Sequence, residues 1–441
     1  MFQVLGLLLG MGVLIFLAYK SWGMVPATLL AGLVVIITNQ MDLWEAFSIN
    51  YANALKGFVG TYLLMFFFGA TFGNLMGESG AAKSISIKLM KALGKDKAML
   101  IIILASALLS YGGISLFVCV FALYPIGLIL FKEANISKKL FPACMLFGCA
   151  TFTMVAVPGT PAISNIIPTT YLGTTAYAAP VLGIITSIVM FVLGYAYLKW
   201  ERKGLEKKGE FFIPGPEDNM ETLTINEDEL PDWKISLIPM IIVMGTIFLL
   251  RNYVVSMYSV IIALVLGVLS TLIIFKKYLQ SPLKVINKSA ESSILAILNT
   301  AAIVGFGGIV QGSIGFQSIV AFALGLDISP LVSTGVAVNL VAGITASSSG
   351  GLTVFMDALG QQYLEMAQAA GISPDVLHRI ASIASSGLDS LPHSGATYTC
   401  ILVSGLTHKD AYKYVFGTNC VVTLLALVVA ITLASTGLIL F

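Results

Sequence analysis

The chain has 441 residues, of which 57% are hydrophobic and only 10% are charged, and its formal net charge is +2. A soluble domain carries about 25% charged residues, so this composition excludes a water-soluble protein and predicts an all-α integral membrane protein. The small net charge is spread over loops, which argues against nucleic acid as a partner and leaves the lipid bilayer as the expected surroundings.

Apolar stretches recur from one end of the chain to the other. A membrane span needs about 20 apolar residues. The amino-terminal stretch lacks the basic start and small-residue cleavage site of a signal peptide, so we expect it to remain as a span. The predicted spans lie near 1–18, 24–41, 57–77, 178–199, 235–252, 258–275, 291–311 and 414–440.

The sequence repeats itself at an offset of 234 residues. The offset places VPGTPA, which begins at Val157, opposite LPHSGA, which begins at Leu391. Identical pairs at this offset include Phe72 with Phe306, Gly73 with Gly307, Ser79 with Ser313, Ser84 with Ser318, Ile85 with Ile319 and Leu172 with Leu406. We therefore predict a first repeat at 1–199, a linker at 200–234 and a second repeat at 235–441.

The placement of lysine and arginine indicates that the two repeats have inverted topology. Cytoplasmic loops gather positive charge. Residues 78–98 contain five lysines, whereas their counterpart, 312–332, contains no lysine or arginine. With both termini outside, the cytoplasmic side holds all but three of the 24 basic residues, the exceptions being Lys56, Arg251 and Arg379. The linker is then cytoplasmic, and its polar composition leads us to expect a mobile segment.

Four long segments do not fit a single straight crossing. Residues 99–130 are apolar but both ends are expected on the cytoplasmic side, which predicts a re-entrant hairpin that turns near 111–115. Its counterpart, 333–360, would turn at 347–351. Segments 141–177 and 376–412 carry central breakers, PGTP and PHSG, and should be broken helices. We predict about ten transmembrane helices, two re-entrant hairpins and two broken helices.

The breaks are the candidate site, because non-helical backbone at membrane depth is tolerated only inside protein or beside a water-filled cavity. Ionisable residues in membrane segments are costly and are functional candidates. Here these are His393, Asp389 and Asp357. Asp389 lies one turn before His393, either as its partner or as a proton carrier itself. No lysine or arginine is expected at this depth, so backbone dipoles, hydroxyls and His393 would hold a small anion.

Four sequence blocks resemble the gluconate permease (GntP) family of proton symporters, within the wider ion-transporter superfamily. They are YGGISLFV from Tyr111, FTMVAVPGTPAISNIIPTTYLGTT from Phe152, AGITASSSGG from Ala342, and SSGLDSLPHSGA with SGLTHKDAY from Ser385. The blocks are closest to the 3-hydroxybutyrate permease-like branch. In that branch an asparagine follows the histidine of the LPH motif, whereas this chain has Ser394.

The resemblance implies a bacterial inner-membrane, multi-pass carrier that takes up a small hydroxycarboxylate of the 3-hydroxybutyrate or gluconate type together with a proton. It also implies a homodimer with a scaffold and a moving, elevator-like transport domain, and no cofactor or metal. The substrate-binding residues that it implies are Gly113, Ser115, Thr160, Ser164, Asn165, Ser347, Ser348, Ser349, His393 and Ser394. Proton coupling is expected to involve His393, Asp389 and Asp357.

Other functions stay open at this point. Carbonyls of the broken helices and groups around Asn165 and Ser347 would suit a sodium-coupled carboxylate carrier. An intramembrane hydrolase would use one of Ser347 to Ser349 as nucleophile and His393 as base. A passive channel is a further alternative, whereas a primary pump is disfavoured because the GxxxxGK[ST] phosphate loop is missing from the sequence.

Overall fold

The computed structural model describes residues 2–112, 116–215, 218, 229–250, 253–254, 256–324 and 329–437. Within these ranges the regular secondary structure is entirely helical. Seven of the helices there are long and apolar enough to cross a membrane, and three shorter helices are also apolar. The prediction of an all-α membrane protein is confirmed.

The described residues of the first half form nine main helices. They are α1 (Phe2–Tyr19), α2 (Met24–Thr38), α3 (Leu43–Glu78), α4 (Ala81–Leu93), α5 (Ala98–Tyr111), α6 (Leu116–Glu133), α7 (Phe141–Ala150), α8 (Ile163–Leu172) and α9 (Pro180–Lys207).

The second half forms a matching series. Its helices are α10 (Trp233–Leu250), α11 (Ser256–Ile274), α12 (Pro282–Gln311), α13 (Ile314–Leu324), α14 (Pro330–Thr345), α15 (Ser348–Ala369), α16 (Pro374–Ser385), α17 (Gly395–Val403) and α18 (His408–Ser435). Each helix of the first half therefore has a counterpart nine helices later, close to the 234-residue offset seen in the sequence.

Helices α3 and α12 pack along each other and occupy equivalent places in the two halves. The Asn74 amide of α3 donates to Ser289 Oγ of α12 at 3.0 Å. The next helices are also arranged equivalently in the two halves: α2 packs on α12, and its counterpart α11 packs on α3. This central pair brings the two halves into one body.

Both predicted helix breaks are present. Between α7 and α8 the chain forms one helical turn, Phe152–Val155, and then runs without regular structure to Ala162. Pro158 and Pro161 have no backbone N–H to donate, and Gly159 has a φ of +78°, a left-handed conformation that favours glycine. The second break separates α16 from α17 and contains Pro392.

The turn of the second hairpin lies earlier than predicted. The chain breaks between α14 and α15 at Ala346, which has a φ of +53°, and Ser347, whose Oγ accepts a hydrogen bond from the Gly350 amide at 3.0 Å. Serine is a preferred N-cap residue, so the Ser-Gly run caps and begins α15. It does not form the turn itself. The predicted turn of the first hairpin extends into 113–115, outside the described residues.

The two arms of this hairpin cross closely at Gly351. A Cβ atom on Gly351 would lie 2.4 Å from the Cα atom of Ala342 in the facing arm. Because backbone must move to admit it, we expect Gly351→Ala to destabilise the protein by about 2–3 kcal/mol, measured as a lower melting temperature in detergent. Gly57→Ala is the matched control, since a Cβ atom there meets nothing within 4 Å. Equal melting temperatures for the two variants would contradict this packing.

The described part of the linker is anchored, in contrast to the expected mobility. Residues up to Lys207 continue helix α9. Asp218 forms a buried ion pair with Lys138, the Nζ to Oδ2 distance being 2.7 Å. The carboxylate also accepts hydrogen bonds from the Tyr124 hydroxyl and the Gly215 amide. Tyr124 and Lys138 belong to α6 and to the turn before α7, so the linker is fixed to the first hairpin and the first broken helix.

Candidate functional site

Three serine hydroxyls connect the tip of the second hairpin with both broken helices. Ser348 Oγ, at the start of α15, lies 2.7 Å from Ser164 Oγ at the start of α8. It also lies 2.8 Å from Ser385 Oγ at the end of α16. All three residues are buried. Because a hydroxyl both donates and accepts, this chain of hydroxyls can exchange its internal hydrogen bonds for bonds to a ligand. Two of its members, Ser164 and Ser348, were predicted from the sequence, and Ser385 was not.

His393 lies in the second break and contacts the same hairpin. Its Nε2 atom is 3.0 Å from the carbonyl oxygen of Gly343 in α14, so Nε2 carries a proton. The Nδ1 atom is buried and has no hydrogen-bond partner among the described residues. A buried ring nitrogen without a partner costs free energy, which a proton or a hydroxyl donor at this position would offset.

Asp389 and His393 do not pair as one of the sequence hypotheses proposed. The Asp389 carboxylate is buried and accepts a hydrogen bond from the Ser390 hydroxyl at 3.0 Å, whereas His393 bonds to Gly343. The residue spacing is one helical turn, but the chain has already left α16 at Ser385, so the regular helical geometry behind that hypothesis does not apply. The two side chains therefore have separate hydrogen-bond partners in the structure.

The remaining predicted residues differ in their surroundings. Ser394 occupies the N-cap position of α17 without a side-chain capping bond. Ser349 is partly exposed in the first turn of α15. Asp357 is exposed, and its carboxylate accepts a hydrogen bond from the Tyr171 hydroxyl of α8. Asp357 is therefore not brought together with the buried groups. Gly113 and Ser115 lie outside the described residues.

No serine of the Ser347 to Ser349 run is bonded to His393 in the part of the chain that the structure describes. Ser347 Oγ caps α15, and Ser348 Oγ bonds to two other serines. A serine hydrolase needs its nucleophile within hydrogen-bond reach of its base. The arrangement therefore lacks the dyad that an intramembrane hydrolase would require.

The sequence reasoning placed Arg379 on the outer side and missed its role in the interior. Arg379 has 0% of its surface exposed. Its five N–H groups make five hydrogen bonds to neutral oxygens of the first broken helix and the loop that follows it. The acceptors are the Ala178 carbonyl (3.1 and 2.7 Å), the Val155 carbonyl (3.1 Å), the Asn165 side chain (2.8 Å) and the Ala176 carbonyl (3.4 Å). Arg379, which belongs to the second half, thus holds together the chain on both sides of the first break.

Asn165 is the centre of this network. Its Nδ2 atom donates to the carbonyls of Thr160 and Ala176, both at 2.9 Å. Its Oδ1 atom accepts from Arg379 at 2.8 Å and lies 3.3 Å from His378 Nε2. All hydrogen-bonding capacity of the amide is used. Asn165 and Thr160, both predicted as ligand-binding residues, therefore shape the break through internal contacts.

The polar face of α16 offers a sequence signal that would have found Ser382 and Ser385. Positions 378, 382 and 385 are spaced four and three residues apart, as one face of a helix requires. Ser382 Oγ donates to the Val155 and Ser164 carbonyls, both at 3.0 Å, and Ser386 Oγ donates to the Ala150 carbonyl at 2.8 Å. A polar stripe on a helix of a membrane protein indicates contact with groups that need hydrogen bonds.

Comparison with known proteins agrees with this architecture. Residues 2–435 match the family model described as GntP family permease. An uncharacterized transporter of Bacillus subtilis, YxjC, is 34% identical over an alignment of 472 positions that covers 99% of this chain and 100% of that protein. An uncharacterized transporter of Haemophilus influenzae is 26% identical over 400 residues, covering 89% of this chain and 88% of that protein.

Proposed function

The chain belongs to the GntP permease family and is a multi-pass transporter of the bacterial inner membrane, not an enzyme, and on this premise we propose that it carries a small hydroxycarboxylate into the cell together with a proton. The proposed substrate is of the 3-hydroxybutyrate or gluconate type. The proposed site comprises the serine chain of Ser164, Ser348 and Ser385 and the adjoining second break with His393.

The observation that carries the proton-coupling proposal is the buried Nδ1 atom of His393, which has no partner among the described residues. Imidazole gains and loses a proton in the physiological pH range more readily than other side chains. Asp389 is a second buried group that can take up a proton, and it has a serine rather than a cation as its hydrogen-bond partner.

Hydroxyl groups and a buried guanidinium favour a small anion with hydroxyls of its own. Ser348 and Ser385 offer hydrogen bonds that can be exchanged. Arg379 provides the positive charge near the first break. A single cation there matches a monocarboxylate better than a tricarboxylate.

The Arg379 guanidinium also argues against sodium binding at Asn165. The Asn165 Oδ1 atom, which would be the natural ligand for Na⁺ there, already accepts a hydrogen bond from Arg379 at 2.8 Å. A guanidinium at that distance repels a second cation. This favours the proton over sodium as the coupling ion.

We further propose that the inverted repeats, 1–199 and 235–441, form a scaffold from their outer spans and a transport unit from the hairpins and broken helices, and that the carrier is a homodimer. The hydrogen bonds from Ser348 of the hairpin to Ser164 and Ser385 of the broken helices support the grouping, because elements that move together need such contacts.

Uptake into proteoliposomes tests the proposed function. With an inward proton gradient and no sodium, we expect radiolabelled 3-hydroxybutyrate or gluconate to accumulate, and a protonophore to abolish the accumulation, because the gradient is the energy source. Lactate and citrate serve as comparison substrates. Accumulation that requires Na⁺ would replace the proton by sodium as the coupling ion, and equilibration without accumulation would indicate a passive channel.

A further inference from the structure

Arg379 is a buried cation whose hydrogen bonds all go to neutral groups. Four of its five bonds end on backbone carbonyls and the fifth on the Asn165 amide. Moving a charge out of water without an ionic partner is costly. Asp375, the acidic group that interacts with it electrostatically, lies in the exposed first turn of α16 and is solvated.

The five bonds fix the shape of the first break. They join α16 of the second half to the Val155 carbonyl before the break and to the Ala176 and Ala178 carbonyls after α8. These acceptors are more than 200 residues away from Arg379 in the sequence. The guanidinium therefore determines where α8 begins relative to α16.

The positive charge lies close to the proposed substrate site. Arg379 bonds to Asn165, the residue after Ser164, and Ser164 is the hydroxyl that contacts Ser348 of the hairpin. Ser382, one turn after Arg379, donates to the Ser164 carbonyl at 3.0 Å. A charge in a poorly solvated interior acts over several ångströms with little screening, so it raises the affinity of this region for anions.

The equivalent position in the first half carries no charge. At the 234-residue offset Arg379 corresponds to Met145 and His378 corresponds to Cys144, both buried in α7. The two breaks therefore differ in electrostatic character although their helices correspond. A residue that served only to pack a broken helix in this fold would not need a charge, since methionine fills the equivalent place.

We propose that Arg379 is a specificity-determining residue of the carrier: it positions the first break through five hydrogen bonds and supplies the positive charge that selects an anionic substrate at the Ser164, Ser348 and Ser385 hydroxyls. Arg379 acts through Asn165 and through its electric field, because its own N–H groups are all engaged. This inference rests on the proposed function as a carboxylate carrier.

Comparing the binding of an anion with that of its neutral analogue separates the positioning role of Arg379 from the effect of its charge. The purified full-length protein would be tested with radiolabelled 3-hydroxybutyrate or gluconate, whichever the wild type binds, in competition with the same acid and with its neutral amide. Arg379→Met uses the residue found at the equivalent position of the first half. Arg379→Lys keeps the charge but loses the five-bond geometry.

We expect Arg379→Met to weaken binding of the acid about tenfold or more, because a charge in a poorly solvated interior is weakly screened, while binding of the amide changes much less. Arg379→Lys should retain the preference for the acid over the amide at reduced affinity. Equal losses for acid and amide in both variants would reduce Arg379 to a structural residue, and wild-type affinity in a folded Arg379→Met protein would remove it from the site altogether. If the wild type binds neither acid, the proposed function fails instead.

Discussion

Replacing His393 with alanine is expected to abolish proton-driven accumulation of the substrate while leaving the protein in the membrane at normal levels. The Nδ1 atom of His393 is buried without a partner among the described residues, and its Nε2 atom is held by the Gly343 carbonyl. The ring is thereby oriented with one nitrogen free to take a proton. Without it, the ratio of internal to external substrate should fall to about 1, since uncoupled transport only equilibrates its substrate.

His393→Gln distinguishes loss of coupling from loss of structure. The glutamine amide keeps an N–H group that can bond to the Gly343 carbonyl, but it does not titrate. We expect His393→Gln to retain exchange of labelled for unlabelled substrate in the absence of a gradient, and to lose accumulation as His393→Ala does. The measurement is uptake in proteoliposomes with the membrane potential clamped.

His408→Gln is the matched control for these variants. His408 is also a buried histidine whose Nε2 atom bonds to a carbonyl, that of Pro392 at 2.7 Å. It packs among the rings of Tyr398, Tyr412 and Tyr19. Accumulation by His393→Gln at the level of His408→Gln would mean that the coupling proton binds elsewhere, and Asp389 would then be the residue to test.

The places where the helices break could be predicted from sequence because their causes are local. Proline removes a backbone donor and disfavours a continued helix, and both segments that are too long for one crossing carry a proline in the break. The turn of the second hairpin was predicted to begin one residue too late and to extend too far, because a Ser-Gly run is compatible with a turn and with an N-cap followed by a helix. The structure has the second arrangement, with Ala346 in the left-handed conformation before Ser347.

The burial of Arg379 could not be predicted from sequence because its environment is assembled from distant parts of the chain. Counting charges per loop assigns a side of the membrane and carries no information about burial. The guanidinium is stable inside because the Val155 carbonyl at the first break and the Ala176 and Ala178 carbonyls in the loop after α8 accept its hydrogen bonds. The carbonyls need donors and the buried arginine needs acceptors, and only the folded chain brings the two sets of groups together.

The linker gives a second example of a contact that composition hides. An acidic, proline-containing segment is typical of a mobile loop. Asp218 is nevertheless 8% exposed and paired with Lys138, which is 3% exposed. Buried ion pairs are weak evidence for stability overall, but removing one partner leaves an uncompensated charge and is strongly destabilising. The pair therefore defines one docked position for the linker against α6 and α7.

Lys138→Met is accordingly expected to release the linker from the rest of the protein. Loss of one partner of a buried pair costs about 3–5 kcal/mol, which corresponds to about a hundredfold or greater increase in the undocked population. Residues 209–233 contain glutamates but no lysine or arginine. Cleavage of the detergent-solubilised protein by a glutamate-specific protease therefore measures the undocked linker, and we expect the cleavage rate to rise by a similar factor.

Lys139→Met is the matched control, because the neighbouring lysine pairs with Glu210 of the same linker at the surface. The Nζ to Oε2 distance is 2.5 Å, and both side chains are about one third exposed. The hydrogen bond that Lys139 donates lowers the pKa of Glu210 from its usual value. An exposed ion pair nevertheless contributes less than about 1 kcal/mol to stability. Adding Asp218→Asn to Lys138→Met should cost less than the sum of the two single changes, because the asparagine keeps an acceptor for Tyr124 without a charge. Equal cleavage rates for Lys138→Met and Lys139→Met would mean that the buried pair does not hold the linker in place.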